Sequence, residues 1–400
     1  MLLHSWRWFG PDDPVNLEQV VQTGATCIVS ALHQLPVGEC WSREEIRKRA
    51  EVIRKAGLSW GVVESVPVHE DIKTRSGNYL GYIENYKQTL LNLASEGVHT
   101  VCYNFMPALD WSRTTLNSRQ PDGSELSSFN QVHFAAIDLY LLRRTGAESS
   151  YSEMVTRKAR EFHASLSSRK KEELLTTFLL GFPGSSETFS AKEVLKRIQK
   201  YDGIGKKEYQ EHLAQFLREA VPVAEAAGIS LAIHPDDPPW PLLGLPRAVS
   251  TLEDAEKITG TVDSAANGLT FCSGSFGAAH TNDLPAMAAK LAQRIHFLHL
   301  RDVSRDADNN FQETNLFEGD VDLFSIMKTM VEEDLRRERK ISGYRGLPVR
   351  PDHGARILDD LHKSYYPGYS LYGRMKNLAE IRGLETGVRS SILDKDSPRS

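Results

Sequence analysis

Short runs of apolar, β-branched and aromatic residues recur along the chain, with amphipathic helical segments between them. Eight such runs predict strands near Leu3–Phe9, Cys27–Leu32, Gly61–Val66, His99–Phe105, Ser230–His234, Leu269–Cys272, Ile295–Leu300 and Leu347–Asp352. Strands that alternate with helices pair in parallel through right-handed crossovers. Eight units favour a closed (β/α)₈ TIM barrel over an open doubly wound sheet. This count leaves out Leu174–Leu180, which is either a ninth strand or the end of a helix.

Three helices between the strands have clear patterns. Ser42–Ala56 begins at a serine with Glu45 three residues further on, which is the spacing of a capping box. The other two predicted helices span Tyr82–Ser95 and Tyr209–Ala227, and each stops close to a glycine. Helices of this length are long enough to return the chain between parallel strands.

One interval is too long for a single crossover. Residues 110–207 therefore predict an insertion after the fourth strand, in which Arg157–Glu173 is charge-rich and helical and Gly181–Gly184 interrupts the chain. A lid, a dimer arm and a solvated helical decoration all fit this segment. We expect one catalytic barrel domain over residues 1–388, with a flexible polar tail over residues 389–400.

Composition and charge restrict the class of protein. The 400 residues are 40% hydrophobic and 25% charged, as in ordinary globular chains. A balance of 48 basic against 53 acidic residues excludes nucleic-acid binding through bulk positive charge. No apolar run reaches the roughly 20 residues of a membrane span, and the N-terminus lacks the pattern of a secretory signal. Four cysteines without a Cys-x-x-Cys motif favour a reducing compartment, so we expect a cytoplasmic protein.

Candidate chemistry lies where the later strands end. Active sites of such barrels occupy the carboxyl ends of the strands. The fifth, sixth and eighth predicted strands end in His234, Cys272 and Asp352, and the seventh carries His296 and His299. These donor types bind divalent transition metals, although each alone is more often a packed residue. Four donors on one rim predict a metal site.

Alternation along the seventh strand chooses between its two histidines. His299 shares a face with Phe297 and Arg301, whereas His296 points the other way. We therefore prefer His299 as the ligand and expect His296 to be structural. The glycines of Gly274–Gly277 either let backbone amides approach an anion or form a tight turn.

Five longer runs resemble one known family. They are Arg7–Asp13, Val63–Glu70, Val101–Pro107, His234–Pro239 and Arg350–Gly354. From about Trp8 to Gly383 the chain resembles the mannonate dehydratases, metal-dependent sugar-acid dehydratases of hexuronate catabolism. The resemblance implies a barrel of the xylose-isomerase-like type and a Mn²⁺ or Fe²⁺ ion. It also implies dehydration of D-mannonate to 2-keto-3-deoxy-D-gluconate.

The resemblance also implies roles for particular residues. Matched motif by motif, the family's metal ligands fall on His234, Cys272, His299 and Asp352. Its acid–base pair falls on His353 and a tyrosine, Tyr369, with Tyr365 and Tyr366 as rivals. A histidine, with an ordinary pKa of about 6.5, suits proton transfer near neutrality.

Three more residues are candidates for binding substrate. Arg301, on the face of His299, can pair with the substrate carboxylate or else is a solvated surface arginine. Asn104 and Asp236 lie within the matched runs. One departure stands at Leu316, where the family commonly has a histidine, so specificity is expected to differ if that histidine contacts substrate.

Two other functions fit the same pattern. A metal-dependent sugar isomerase or epimerase would use a similar barrel and similar ligands without releasing water. A non-catalytic sugar-acid sensor would bind substrate without turnover. The expected partner of this chain is a small sugar-acid substrate, with no nucleic acid and no membrane, and the expected assembly is a homo-oligomer, a dimer.

Overall fold

A closed barrel of parallel strands forms the centre of the protein, as described by a computed structural model of residues 1–181 and 190–396. The strands are β1 (Leu3–Arg7), β2 (Cys27–Ser30), β3 (Ser59–Glu64), β4 (Thr100–Tyr103), β5 (Thr115–Arg119), β6 (Glu125–Phe129), β7 (Ser230–Ile233), β8 (Asn267–Cys272), β9 (Ile295–Leu300), β10 (Asp302–Arg305), β11 (Phe311–Thr314) and β12 (Pro348–Pro351). Eight of them close the barrel in the order β1-β12-β9-β8-β7-β4-β3-β2. The predicted (β/α)₈ fold is confirmed.

The predicted barrel strands are all present, and their ends differ from the prediction by no more than two residues. The first strand, for example, stops at Arg7 rather than Phe9, and the third spans Ser59–Glu64 rather than Gly61–Val66. The shifts at the carboxyl ends arise because apolar loop residues such as Val66 are buried as fully as strand residues. Hydrophobicity alone therefore does not mark a strand's end.

Helices surround the barrel. They are α1 (Leu17–Gln22), α2 (Arg43–Lys55), α3 (Glu70–Thr74), α4 (Tyr79–Ser95), α5 (Gln131–Ala136), α6 (Glu153–Ser165), α7 (Ser168–Leu179), α8 (Ala191–Gln199), α9 (Lys206–Ala226), α10 (Leu252–Thr259), α11 (Ser273–Gly277), α12 (Leu284–Leu291), α13 (Leu323–Lys340) and α14 (Leu371–Asp396). Ser42 caps α2 by accepting a hydrogen bond from the Glu45 amide at 3.2 Å. The predicted capping box is half formed, because the Glu45 carboxylate pairs with Lys48 at 2.9 Å.

The insertion covers one side of the barrel's carboxyl rim. It contains the β5–β6 hairpin and α5–α8, and Leu174–Leu180 is the end of α7 rather than a ninth strand. The hairpin joins β10 and β11 in an antiparallel sheet of order β10-β11-β6-β5, with Phe129 opposite Phe311. This sheet, which the sequence did not predict, carries residues of the insertion to the site. Of the predicted break, Gly181 is described and residues 182–184 lie outside the described residues.

The C-terminal segment differs from the predicted frayed tail. Helix α14 continues to Asp396, and Arg389 forms an ion pair with the buried Asp334 at 3.1 Å. Residues 397–400 lie outside the described part of the chain. Among the described helices, none is long and apolar enough to cross a membrane.

A small apolar layer fills the barrel beneath its carboxyl rim. Val29, Val62, Cys102, Ala232 and Phe297 form this layer, and all five are fully buried. Inward-facing side chains at the ends of the same strands lie above it. The site therefore rests on a packed floor.

Candidate metal centre and active site

Three metal-binding side chains converge at the carboxyl rim; we call His234, Cys272 and His299 the donor corner. One ligand atom from each lies within 4.8 Å of those of the other two. Cys272 ends β8, and its register partner across to β9 is His299. Paired residues of neighbouring strands share a face, so both point into the barrel.

His296 occupies the opposite face of β9, as alternation predicts. Its ring packs over Gly268, where a Cβ would lie 2.2 Å from the His296 Cδ2 atom. Burial lowers the pKa of His296 to about 3, so the ring is neutral. Gly268 is therefore a close-approach glycine that admits the ring.

Each imidazole of the donor corner keeps one ring nitrogen without a hydrogen bond, whereas the Cys272 thiol contacts Asp352 and Ser275. His234 Nδ1 donates to the Pro235 carbonyl at 2.8 Å, which leaves its Nε2 as the free donor atom. His299 Nε2 is buried and has no hydrogen-bond partner. Burial raises the pKa of the Cys272 thiol, and a thiolate there needs a cation beside it. Two imidazoles and a sulfur fit a divalent transition metal.

Asp352 lies against this corner as a possible fourth ligand. It follows β12 and accepts a hydrogen bond from the Cys272 thiol at 3.3 Å, and its Oδ1 is 3.5 Å from His299 Nδ1. Arg301 and Arg350 contact the same carboxylate at 3.1 and 3.0 Å. Although burial acts to raise it, the surrounding cations hold the pKa of Asp352 well below its usual range. The carboxylate is therefore an anion beside the donor corner.

His353 and Tyr369 stand next to each other beside Asp352. Their rings meet edge to face with centroids 5.4 Å apart. Gly368 adopts φ +81°, and a Cβ there would lie 2.7 Å from the His353 ring, so this position needs glycine. Burial raises the pKa of Tyr369.

The two rival tyrosines point elsewhere. Tyr366 is 44% exposed and packs on Phe9 with ring centroids 4.4 Å apart. Tyr365 hydrogen-bonds to Asp360, and burial raises its pKa. Of the three tyrosines, Tyr369 is the one with a ring contact to His353.

A buried network of charges lies beside His353; we call Arg113, Asp237, Arg301 and Glu313 the cap. Arg113 donates to both oxygens of Asp237 at 2.8 and 3.1 Å and to Glu313 at 2.9 Å. Arg301 contacts the same two carboxylates at 2.7 and 3.5 Å. Although burial opposes it, these arginines hold the pKa of Asp237 well below its usual range.

Glu313 links the cap to His353. His353 Nδ1 lies 2.9 Å from Glu313 Oε1 and 3.0 Å from Oε2. Burial would raise the pKa of Glu313, but His353, Arg113 and Arg301 lower it to about 2. An ionised Glu313 makes Nδ1 the protonated nitrogen of His353 and leaves Nε2 facing away from the cap.

The structure gives the three expected substrate-binding residues other contacts. Arg301 already forms ion pairs with three carboxylates, those of Asp237, Glu313 and Asp352. Asp236 turns into the fold and accepts from the Val249 amide and the Ser250 hydroxyl, each at 2.8 Å. Asn104 lies beside Asp110, whose pKa is raised by burial although Asn104 acts to lower it.

Two other features noted in the sequence have a packing role in the structure. Leu316, in the place of the family's histidine, is 3% exposed and belongs to the hydrophobic core. The glycine run after β8 forms α11, where a Cβ on Gly274 would lie 1.9 Å from Arg301 Nε. Ser275, one residue on, donates to Asp237 at 3.2 Å and to Cys272 at 3.1 Å. The glycine thus makes room for Arg301.

Several site residues escaped the sequence reasoning. Glu64 ends β3 and accepts two bonds from Arg350 at 2.9 and 3.1 Å, while its Oε2 lies 3.7 Å from His299 Nε2. Glu64 could have been predicted from the sequence, because active-site residues of such barrels lie at the carboxyl ends of the strands. Arg113 and Glu313 come from the insertion and from β11, and no local pattern marks either.

A cavity of about 270 Å³ opens beside the cap. Glu313, Gly354, Arg356 and Gly368 are among its lining residues. Gly354 and Gly368 flank His353 on either side, and their backbones are hydrogen-bonded at 2.9 Å. The cavity therefore gives a small polar molecule access to the neighbourhood of His353.

Comparison with known proteins finds relatives over nearly the whole chain. A family model described as D-mannonate dehydratase (UxuA) matches residues 2–394. A mannonate dehydratase from Marinomonas sp. (strain MWYL1) is 49% identical over 97% of this chain and 100% of its own. The crystal structure of mannonate dehydratase from Streptococcus suis serotype 2 superposes with a TM-score of 0.77 at 32% identity, covering 98% of this chain and 94% of that one. A xylose isomerase domain protein from Planctomyces limnophilus, at 13% identity and TM-score 0.52, covers 98% of this chain and 99% of its own and shares the fold alone.

Proposed function

The chain belongs to the D-mannonate dehydratase family, and we propose that it dehydrates D-mannonate to 2-keto-3-deoxy-D-gluconate with a bound Mn²⁺ or Fe²⁺ ion. It is an enzyme of the hydro-lyase class, from a metal-dependent family. The observation that carries the proposal is the donor corner with His353 and Tyr369 beside it. Asp352, which contacts Cys272 and directly precedes His353, joins the metal ligands to the proton-transfer groups.

The residues of the donor corner, together with Asp352, would hold the ion. Two imidazoles and a thiolate favour transition-metal ions over Mg²⁺, which prefers oxygen ligands, and they favour Fe²⁺ more strongly than the harder Mn²⁺. When bound, the ion supplies Lewis-acid stabilisation of the negative charge that develops on the substrate. The unpartnered Nε2 of His299 supports its place in this set.

Dehydration moves two protons, and two side chains are available for them. Glu313 holds His353 Nδ1, so His353 Nε2 would accept the proton from C2 of the substrate. Burial raises the pKa of Tyr369, so its hydroxyl stays protonated and would donate to the departing C3 hydroxyl. The enol that remains tautomerises to the 2-keto acid.

A dehydration assay tests the proposal. Protein loaded separately with Mn²⁺ and Fe²⁺ is given D-mannonate, its C2 epimer D-gluconate and its C3 epimer D-altronate, and release of 2-keto-3-deoxy acid is measured. We expect release with D-mannonate in strong preference to the epimers. Interconversion of sugars without loss of water would identify an isomerase or epimerase instead, and binding without turnover would identify a sensor.

Location and assembly stay predictions. The four cysteines are free in the structure, which is compatible with the proposed cytoplasmic location. A dimer is proposed on the sequence expectation, and sedimentation analysis of the metal-loaded protein measures it. A monomer at all concentrations would contradict that part.

A further inference from the structure

Arg7, at the carboxyl end of β1, has a buried charge with few partners. Its side chain is 9% exposed, and its Nε and Nη1 have no hydrogen-bond partner. Two long contacts remain: Nη2 lies 3.5 Å from His33 Nε2, and Nη1 lies 3.8 Å from Glu64. A buried cation in this state is costly unless another group completes its hydrogen bonds.

Three neighbouring arginines of the rim are engaged in short ion pairs. Arg350 donates to both oxygens of Glu64, and Arg113 donates to both oxygens of Asp237. Arg301 contacts three carboxylates. Unlike these three arginines, Arg7 can bind a further anion without giving up a short ion pair.

The register of the barrel aims Arg7 inward. Its partner on β2 is Val29, which belongs to the buried layer inside the barrel, and paired residues share a face. The Glu64 carboxylate lies between Arg7 and the donor corner, 3.8 Å from Arg7 Nη1 and 3.7 Å from His299 Nε2. One oxygen of Glu64 therefore connects the guanidinium of Arg7 to the candidate ligand His299.

One side chain fixes Arg7 relative to Tyr369. Arg374 donates to the Arg7 carbonyl at 2.8 Å and to the Tyr369 carbonyl at 3.0 Å. The Phe9 ring lies 4.8 Å from the Arg7 guanidinium, and its centroid lies 4.8 Å from that of Tyr369. An anion held by Arg7 would be placed next to the proposed acid.

With a divalent ion bound, the charges of these rim groups would favour one more anion. Four arginines, Arg7, Arg113, Arg301 and Arg350, face four carboxylates, Glu64, Asp237, Glu313 and Asp352. These eight groups balance. A divalent ion together with the Cys272 thiolate would add one net positive charge, which a monovalent anion would neutralise.

We propose that Arg7 binds the carboxylate of the sugar-acid substrate and so selects acids over neutral sugars. The inference rests on the proposed function for the identity of the acid. The guanidinium fork of Arg7 matches a carboxylate in a bidentate manner.

Equilibrium binding to unreactive ligands tests this role. The ligands are the analogue of D-mannonate that lacks the C3 hydroxyl, which cannot lose water, and its neutral amide. Titration calorimetry on Mn²⁺-loaded wild type, Arg7→Met and Arg7→Lys gives a Kd for each. We expect Arg7→Met to weaken binding of the acid about 10- to 100-fold, and binding of the amide less than about twofold.

Two controls make the result decisive. Arg49→Met also removes a buried arginine next to β1, but Arg49 donates to Ser30 and Ala31 and should leave both Kd values unchanged. If Arg7→Met fails to fold or loses its ion, Arg7→Lys decides, because a single ammonium should still weaken acid binding severalfold. Unchanged acid binding, or equal losses for acid and amide, would overturn the proposal.

The outcome separates this inference from the proposed function. If wild type releases no 2-keto-3-deoxy acid but Arg7→Met selectively loses the acid ligand, the carboxylate site stands and the dehydratase proposal fails. If wild type dehydrates D-mannonate and Arg7→Met binds the acid normally, the reverse holds.

Discussion

The donor corner and the cap lie side by side on the same rim but are built in opposite ways. The donor corner contains one buried imidazole nitrogen without a hydrogen-bond partner, His299 Nε2, and a thiol that contacts Asp352 and Ser275. In the cap, every charged group has an oppositely charged partner within 3.5 Å. The corner thus leaves a buried imidazole nitrogen without a partner in the chain, whereas the charges of the cap are paired with one another. We infer that the donor corner binds the metal ion and that the cap positions His353.

Their origins differ as well. The donor corner comes from three adjacent barrel strands, β7, β8 and β9. The cap joins Arg113 of the insertion to Glu313 of β11, which are 200 residues apart in sequence. A site built from adjacent strands tolerates changes in the loops, but a cap built from distant segments depends on the folding of both.

The largest effect should come from emptying the corner. Removing divalent ions with a chelator should lower turnover at least about 10³-fold, because Lewis-acid stabilisation contributes several kcal/mol. Mn²⁺ or Fe²⁺ should restore activity and Mg²⁺ should do so poorly. The far-ultraviolet circular dichroism should stay unchanged, because the cap needs no ion. Full turnover by protein shown to be metal-free would contradict the assignment of the donor corner as a metal site.

The next effect separates proton transfer from metal binding. In His353→Asn, kcat should fall about 10²- to 10⁴-fold because the titratable group is lost, while metal content stays near that of wild type. Kinetics and metal analysis of the same preparation measure both. The matched control is His296→Asn on the opposite face of β9, which should keep kcat within about twofold. Loss of the ion in His353→Asn would make His353 a ligand.

A smaller effect tests whether the cap acts through His353. Glu313→Gln removes the charge that orients His353 and should lower kcat about 10- to 100-fold with metal retained. As a control, Asp138→Asn disrupts a comparable buried pair with Arg144, at 2.7 Å but within the insertion, and should lower stability without lowering kcat. If Glu313→Gln lost its metal and regained normal turnover after reloading, Glu313 would support metal binding rather than the orientation of His353.

The same variant has a pH signature. Because the pKa of Glu313 is lowered to about 2 from 4.5, its ionised form stabilises the fold above about pH 4.5. This stabilisation is lost as the pH falls toward 2. The difference in Tm between wild type and Glu313→Gln should therefore shrink below pH 4.5. A difference that grows on acidification would contradict an ionised Glu313.

The smallest effect concerns the sulfur ligand. Cys272→Ser should lower metal affinity at least about tenfold, since a neutral hydroxyl replaces a thiolate. Cys102→Ser is the matched control: Cys102 is equally buried inside the barrel, where it accepts a hydrogen bond from Thr270 at 3.2 Å. Competition with a metal-sensitive dye measures both. Equal affinities in the two variants would remove Cys272 from the ligand set.

The sequence predicted what depends on local pattern. Alternation and strand order suffice to bring His234, Cys272 and His299 to one rim, because neighbouring strands of a parallel barrel end at the same edge. The β5–β6 and β10–β11 hairpins, and with them Arg113 and Glu313, could not be predicted. Their pairing joins segments far apart in the chain, and short polar strands lack an apolar period.

Arg301 and Asp236 show a further limit. The sequence placed both near the rim, but contacts with other charged or polar groups decide what each can do. Arg301 is occupied by Asp237, Glu313 and Asp352, and Asp236 holds the loop at Val249. Residue type and strand position indicate where a side chain lies. Only its contacts show whether it is free to bind substrate.

A crystal structure of Mn²⁺-loaded protein, with anomalous data at the manganese edge, tests the central claim most directly. The account predicts one strong anomalous peak in the donor corner, about 2.0–2.5 Å from a nitrogen of His234, a nitrogen of His299 and the Cys272 sulfur, with Asp352 completing the set. A peak between Asp237 and Glu313 in the cap, or none in the donor corner of a protein that binds manganese, would contradict it.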